Sequence, residues 1–208
     1  MSAELGETLA VHRRAGRKIE FLSIAWTALE SVVGIIAGVI AGSVALISFG
    51  IDSVIEVASS LVLVWRLSDA SVAEDREAFA HRLVGVCFLA LAIYVTFEAL
   101  KDLLTHSSPR VTYLGIVYAG ACVGVMPLLA RAKRRAAANL QSHALHADSH
   151  QSDICAYLAM ILLGGLGFNA LFGWWWADPV AALCMVPIIL REAISGLRGE
   201  ACTHEHRV

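Results

Sequence analysis

Long apolar runs constrain the fold of this chain more than any other feature. The run from Phe21 to Phe49 carries Glu30 as its single charged residue. Such a run is long enough to cross a lipid bilayer and too long for the core of a signal peptide. With 58% hydrophobic and 16% charged residues, the 208-residue chain is far more apolar than a typical soluble domain. The sequence therefore predicts an all-α membrane protein.

The apolar runs and the polar segments between them predict six transmembrane helices. The predicted spans are 20–42, 44–67, 83–104, 112–129, 142–172 and 178–197. The predicted connections are the Gly42-Ser43 turn, a charged loop at 68–82, a turn at 106–110, a basic loop at 131–135 and an aromatic segment at 173–176. The expected organisation is an N-terminal segment of residues 1–19, a six-helix domain over 20–197 and a short tail of residues 198–208.

The basic residues predict how the spans are oriented. Of the 16 Lys and Arg residues, all but Lys101 and Arg110 fall on one side of the predicted six-span arrangement. Cytoplasmic loops of membrane proteins carry an excess of Lys and Arg. Both termini are therefore predicted to lie in the cytoplasm, and the protein is expected to be a multi-pass protein of the cytoplasmic (inner) membrane.

The second span carries two acidic residues, Asp52 and Glu56, four positions apart. On a helix this spacing places both carboxyl groups on one face. A single carboxylate at membrane depth costs about 2.5–3.5 kcal/mol on insertion scales. The pair therefore needs a cation or protons between its members. Pairing with a basic residue of another helix is an alternative, but no basic residue is predicted deep inside a span.

A polar cluster, HALHADSHQSDICAYLA, opens the fifth span. The helical repeat places His146, Ser149, His150 and Asp153 on one face, with Asp148 on another. Together with the acids of the second span, these carboxylates and imidazoles predict a site for zinc, iron or manganese. The same groups bind protons once the metal leaves, because metal binding requires deprotonated ligands. The pattern indicates an exchange of metal for protons.

Simpler roles for some of these residues remain open. Asp153 is also a suitable cap for a helix that begins late. His146 and His150 are alternatively solvated residues on a cytoplasmic extension. Glu30 in the first span is either a proton relay or a lipid-facing residue near a helix partner.

Other function classes find little support in the sequence. The five cysteines form no CxxC pair, which argues against a thiolate zinc site or a disulfide framework. Tail residues Cys202, His204 and His206 are only a weak signal of metal capture. No basic stripe with interleaved aromatic residues predicts nucleic-acid binding. The chain has no HExxH motif and no evident nucleophile–base pair, so neither an enzyme nor a resident cofactor is expected.

The chain resembles the cation diffusion facilitator family. The matching segments are SFGIDSVIEVASS, DSHQSDICAYLA and GWWWADPVAALCMVPIILREAISGL. The resemblance implies a homodimer that exports zinc or a related divalent metal in exchange for protons. It assigns metal-binding positions to Asp52, Glu56 and Asp153. Ser149 stands where the family has His or Asp, so Asp148, His150 or water is expected to supply the fourth ligand.

A second departure from the family concerns length. Most members carry a cytoplasmic metal-binding domain after the sixth span, and only about ten residues follow it here. The chain is therefore expected to be a short form that dimerises through its membrane part. Gly34, Gly38 and Gly42 form a small-residue stripe that is a candidate dimer face.

The predicted function is export of a divalent metal, zinc first, with iron or manganese as alternatives. The competing hypothesis is a metal-binding membrane sensor or partner subunit that does not transport.

Overall fold

Six α-helices and no β-strand make up the described part of the chain. The computed structural model describes residues 2–68, 74–107, 109–140 and 143–198. The helices are α1 (Ser2–Ala41), α2 (Val44–Ser68), α3 (Glu74–Thr105), α4 (Tyr113–Leu140), α5 (His143–Phe172) and α6 (Ala177–Arg198). The predicted all-α fold is confirmed. The predicted tail beyond Arg198, with its two histidines, lies outside the described residues.

All six helices are long and apolar enough to cross a membrane. Their apolar segments measure 18 to 26 residues, with mean hydropathy between 1.6 and 2.2. At a rise of 1.5 Å per residue, the shortest spans about 27 Å, close to the thickness of the hydrocarbon core. The predicted six spans are confirmed, while the side of the membrane that the termini face stays a prediction.

Two predicted loops are wrong over much of their length. Residues from Glu74 onward in the predicted loop 68–82 form the first turns of α3, and the predicted basic loop 131–135 lies inside α4. The segment RAKRRAAANL that ends α4 contains neither glycine nor proline and is rich in strong helix formers. It therefore extends the helix past the apolar span, which matters for the site described below.

The predicted tight turns are confirmed. Gly42 follows α1 with a φ of 66°, a left-handed conformation that costs glycine little. The Ser43 amide donates to the Gly38 carbonyl at 3.0 Å, which satisfies an otherwise unpaired group at the helix end. His106 (φ 55°) and Gly173 (φ 67°) end α3 and α5 in the same way.

Helix α2 lies at the centre of the bundle. It packs against α1, α3, α5 and α6, while the largest helix contacts are α4 with α5, α3 with α6 and α1 with α2. In the apolar span of α2, 61% of the residues are buried, against 28–44% in the other five spans. The acids of α2 are therefore carried by the most buried of the six spans.

The glycine stripe of α1 packs against α2 of the same chain. A Cβ at Gly38 would lie 2.8 Å from the Ile47 backbone nitrogen, and one at Gly34 would lie 3.0 Å from the Gly50 Cα. Small residues allow helices to approach this closely. At these two glycines, the expected dimer face is instead a contact inside the protomer.

Helix α6 fixes the start of α2. Ser43 Oγ donates to Asp178 Oδ1 at 2.6 Å, and the Ala45 amide donates to Oδ2 at 3.3 Å. A carboxylate near a helix N-terminus also complements the helix dipole. The Asp178-Pro179 step thus orients the helix that carries Asp52 and Glu56.

Candidate cation site

Buried polar side chains converge where α1, α2, α4 and α5 meet. The residues, each no more than 9% exposed, are Glu20, Glu30, Asp52, Glu56, Lys133, Ser149, Ser152 and Cys155. Burying charged and polar groups is costly unless they find partners or bind an ion. This concentration makes the region the candidate functional site.

The two α2 acids face α5 through Cys155. Asp52 and Glu56 are each 2% exposed. The Cys155 Sγ lies 2.7 Å from Glu56 Oε2 and 3.7 Å from Asp52 Oδ2. Glu56 Oε1 has no hydrogen-bond partner. Two carboxyl groups therefore share a helix face, as their spacing predicts, and a thiol stands beside them.

Sequence reasoning missed Cys155, because a lone cysteine in an apolar span is usually a small core residue. A signal was nonetheless available. Cys155 follows Asp148 by seven positions, two helical turns, so the two residues lie on one face of α5.

The predicted ligand Asp148 forms an ion pair with a buried lysine. Lys133 Nζ lies 2.5 Å from Asp148 Oδ2, with the lysine side chain 0% exposed and the aspartate 7%. Glu20 lies beside Asp148, and both Glu20 and Glu56 are within electrostatic range of Lys133. The expectation that no basic residue lies deep among the spans is therefore wrong. The helical extension of α4 carries Lys133 into its contact with α5.

The predicted ligand Asp153 is paired with a different basic residue. Its carboxylate accepts from Arg134 Nη1, and its side chain is 28% exposed. Because it has this partner in the α4–α5 contact, helix capping is not needed to explain it. No hydrogen bond or ion pair among the described residues joins Asp153 to Asp52 or Glu56.

The other predicted ligands of α5 also have local partners. Ser149 is buried, and its Oγ donates to the His146 carbonyl at 2.6 Å. His150 is exposed and packs edge-on against His146, with ring centroids 5.1 Å apart. The exposure of His150 agrees with the solvated alternative.

The acids of α2 and α5 do not form a ligand shell in this conformation. Within the part of the chain that the structure describes, no group of three or more His, Cys, Asp and Glu side chains is arranged to hold a metal ion. Lys133 and Arg134 instead balance the charge of the α5 acids. The assignment of metal ligands to α2 and α5 stays a prediction.

The role of Glu30 in α1 is the remaining question that the sequence left open. Glu30 is 1% exposed, so the lipid-facing alternative is wrong. Its backbone carbonyl accepts from the Tyr118 hydroxyl at 2.8 Å, which ties this turn of α1 to α4.

Six helices of membrane-spanning length thus enclose a group of buried acids. A family model described as the cation efflux transmembrane domain matches residues 21–199. The chain belongs to the cation efflux family and is a multi-pass membrane protein. The predicted family is confirmed.

Curated relatives agree with this assignment. An uncharacterized transporter of Synechocystis sp. is 29% identical over 206 residues, covering 90% of this chain and 66% of the relative. Transmembrane protein 163 of Xenopus laevis is 30% identical over 165 residues, covering 77% and 55%. The cation-efflux pump FieF of Salmonella choleraesuis is 29% identical over 194 residues, covering 86% and 63%. The chain thus spans between 55% and 66% of the length of these relatives.

Proposed function

We propose that this protein exports a divalent metal cation from the cytoplasm in exchange for protons. Zinc is the foremost cargo, with iron or manganese as alternatives. The observation that carries the proposal is the buried Asp52–Glu56 pair facing Cys155 inside the membrane bundle. The similarity to a relative named as a cation-efflux pump supports the direction of transport.

The chemistry of this centre suits a divalent metal. Carboxylates bind zinc, iron and manganese, and a thiolate favours zinc over manganese because sulfur is the softer ligand. Each of these groups must lose its proton to bind a metal. Protons and metal therefore compete for the same side chains, which is the thermodynamic basis of an exchange reaction.

In the metal-free state of the proposed transport cycle, basic residues of α4 balance the charges of the α5 acids. In that state Lys133 compensates Asp148, and Arg134 compensates Asp153. A metal ion arriving at Asp52 and Glu56 repels the Lys133 ammonium and attracts the α5 acids. Movement of α5 relative to α4 would then complete the ligand set. Alternating access to a site near the membrane midplane finishes the cycle, and protons on the acids expel the metal.

The assembly and setting of the transporter are further parts of the proposal. We place it in the cytoplasmic (inner) membrane with both termini inside, and we expect a homodimer. No enzymatic activity and no resident cofactor are proposed.

The experiment measures metal and proton flux together in proteoliposomes that contain only this protein. Zn²⁺, Mn²⁺ and Fe²⁺ are offered in turn, with one dye for the metal and one for pH. Asp52→Asn with Glu56→Gln keeps side-chain shape and removes both charges, and it should abolish flux. Glu98→Gln with Asp102→Asn is the matched control, because these α3 acids have the same spacing and lie outside the site.

The outcomes separate the two candidate functions. Undiminished exchange in the α2 variant would show that the site is wrongly assigned. Metal binding by the wild-type protein without flux of any metal would favour a non-transporting sensor or partner subunit.

A further inference from the structure

The buried carboxyl group of Glu30 belongs to the polar cluster described above but is not one of the proposed metal ligands. It lies near the middle of the 24-residue span Lys18–Ala41 and is 1% exposed. Trp26 Nε1 donates to Glu30 Oε1 at 2.5 Å. The second oxygen, Oε2, is buried and has no partner in hydrogen-bonding geometry. The Cys122 thiol of α4 lies beside the carboxyl group and is its other polar neighbour.

Among the residues that the structure describes, no positive charge compensates Glu30. Its ionisable neighbours are Asp52 and Glu56 on α2, Tyr118 and Cys122 on α4, and Cys155 on α5. Among the described residues that lie within electrostatic range, all are acids, thiols or a phenol. An ionised carboxylate in such surroundings has lost its water without gaining a counter-ion. In the metal-free state, Glu30 is therefore best accommodated with a proton on Oε2.

The surroundings also accommodate the ionised form once a cation is near. The Trp26 N–H group can donate to the carboxyl in either protonation state. A divalent ion at Asp52 and Glu56 would place positive charge within electrostatic range of Glu30, where the low dielectric weakens the screening. That charge favours loss of the Glu30 proton. By reciprocity, a proton returning to Glu30 weakens metal binding.

We propose that Glu30 is a proton-binding site of the transporter, separate from the metal ligands, which releases its proton when a divalent cation binds Asp52 and Glu56. This inference rests on the proposed function. It assigns one exchanged proton to α1, a helix that supplies no proposed metal ligand. Trp26 and Tyr118 act as positioning residues, the first by bonding the carboxyl and the second by bonding the Glu30 backbone carbonyl.

The test combines calorimetric Zn²⁺ binding over a range of pH with infrared spectroscopy of the reconstituted protein. Zinc binding to the wild-type protein should remove intensity from the C=O band of a protonated carboxylic acid. Glu30→Gln should lose that part of the signal and still bind Zn²⁺. As the pH rises, the Zn²⁺ dissociation constant of Glu30→Gln should fall less steeply than that of the wild-type protein. The difference should be up to tenfold per pH unit, since up to one proton fewer is released. Glu30→Asp retains a carboxyl group and should restore the proton release.

Glu98→Gln is the matched control and should behave as the wild-type protein, because Glu98 pairs with Lys101 on α3. An unchanged band and proton count in Glu30→Gln would overturn the inference and leave the proposed function intact. Loss of Zn²⁺ binding in Glu30→Gln would also overturn it, by making Glu30 part of the metal site. A wild-type protein that binds no Zn²⁺, Mn²⁺ or Fe²⁺ would refute the proposed function itself, and with it the coupling.

A second variant tests the inference if Glu30→Gln does not fold. Trp26→Phe removes only the N–H donor to Glu30 Oε1. It should shift the frequency of the zinc-sensitive C=O band, because that carbonyl loses a hydrogen bond. A band at the wild-type frequency would assign the signal to another acid and overturn the inference.

Discussion

At the scale of single residues, Lys133 is the most unusual side chain of the site. Lysine is rarely fully buried, yet this one is 0% exposed and paired with Asp148. The free-energy cost of desolvating two charges offsets much of their mutual attraction. Such a pair therefore contributes little net stability compared with apolar residues. Removing one partner has a different effect, because it leaves the other charge buried and uncompensated.

Lys133→Met should lower the free energy of unfolding by about 3–5 kcal/mol. Adding Asp148→Leu should recover part of that loss, because the Asp148 charge is then no longer left unpaired, while Glu20 and Glu56 still lack the lysine. Denaturant unfolding of the purified protein in detergent measures both effects. Lys101→Met is the matched control, since its exposed pair with Glu98 is worth only about 0–1 kcal/mol. A loss for Lys133→Met no larger than the control would contradict a buried ion pair.

At the scale of helices, the contact between α1 and α2 sets the position of the acids. Gly38 and Gly34 let α2 approach closely, and α2 carries Asp52 and Glu56. Asp178 of α6 holds the other side of the α2 N-terminus. The site is therefore positioned by backbone contacts as well as by its own side chains.

Gly38→Ala should destabilise the protein by about 1–3 kcal/mol, because its methyl group would press on the Ile47 backbone. The resulting shift of α2 should also slow metal exchange, which the proteoliposome assay measures.

Gly124→Ala in α4 is the matched control. Nothing lies within 4 Å of a Cβ at this position. This change should be neutral or stabilising, since alanine is the better helix former. Equal stability and flux in the two variants would show that the helix contact tolerates a methyl group.

At the scale of the whole molecule, the acidic and basic side chains of the site come from two helix pairs. The α1–α2 pair supplies four acids, and the α4–α5 pair supplies two acids together with Lys133 and Arg134. Moving one pair relative to the other changes which charges face each other. This division gives the proposed exchange a structural route, because metal, protons and basic side chains can replace one another as counter-ions.

Zinc should accumulate in vesicles whose lumen is more acidic than the medium. Protons leave the lumen down their gradient, and each exchanged proton supports about tenfold accumulation per pH unit when the membrane potential is held at zero. A fluorescent zinc indicator in the lumen measures this. Dissipating the pH gradient with an ionophore should abolish the accumulation. Accumulation that persists without the gradient would show that protons do not drive transport.

The sequence by itself determined the local features of this protein. Apolar runs of sufficient length must form helices in a membrane, since backbone groups there find no other partners. Helical periodicity then placed Asp52 and Glu56 on one face, and the Gly42 turn followed from the conformational freedom of glycine. The basic charges of the segment 131–135 predict a loop, whereas its helix propensity extends α4 through it.

Only the tertiary structure decided which side chains meet. Spacing along one helix does not say which neighbour faces it. The partners Lys133 and Arg134 came from the packing of α4 against α5, and Cys155 came from the packing of α5 against α2. The packing of α1 against α4 and α2 buried Glu30 and directed the glycine stripe toward α2. Charge pairing depends on distance and burial, and both are properties of the assembled bundle rather than of any single segment.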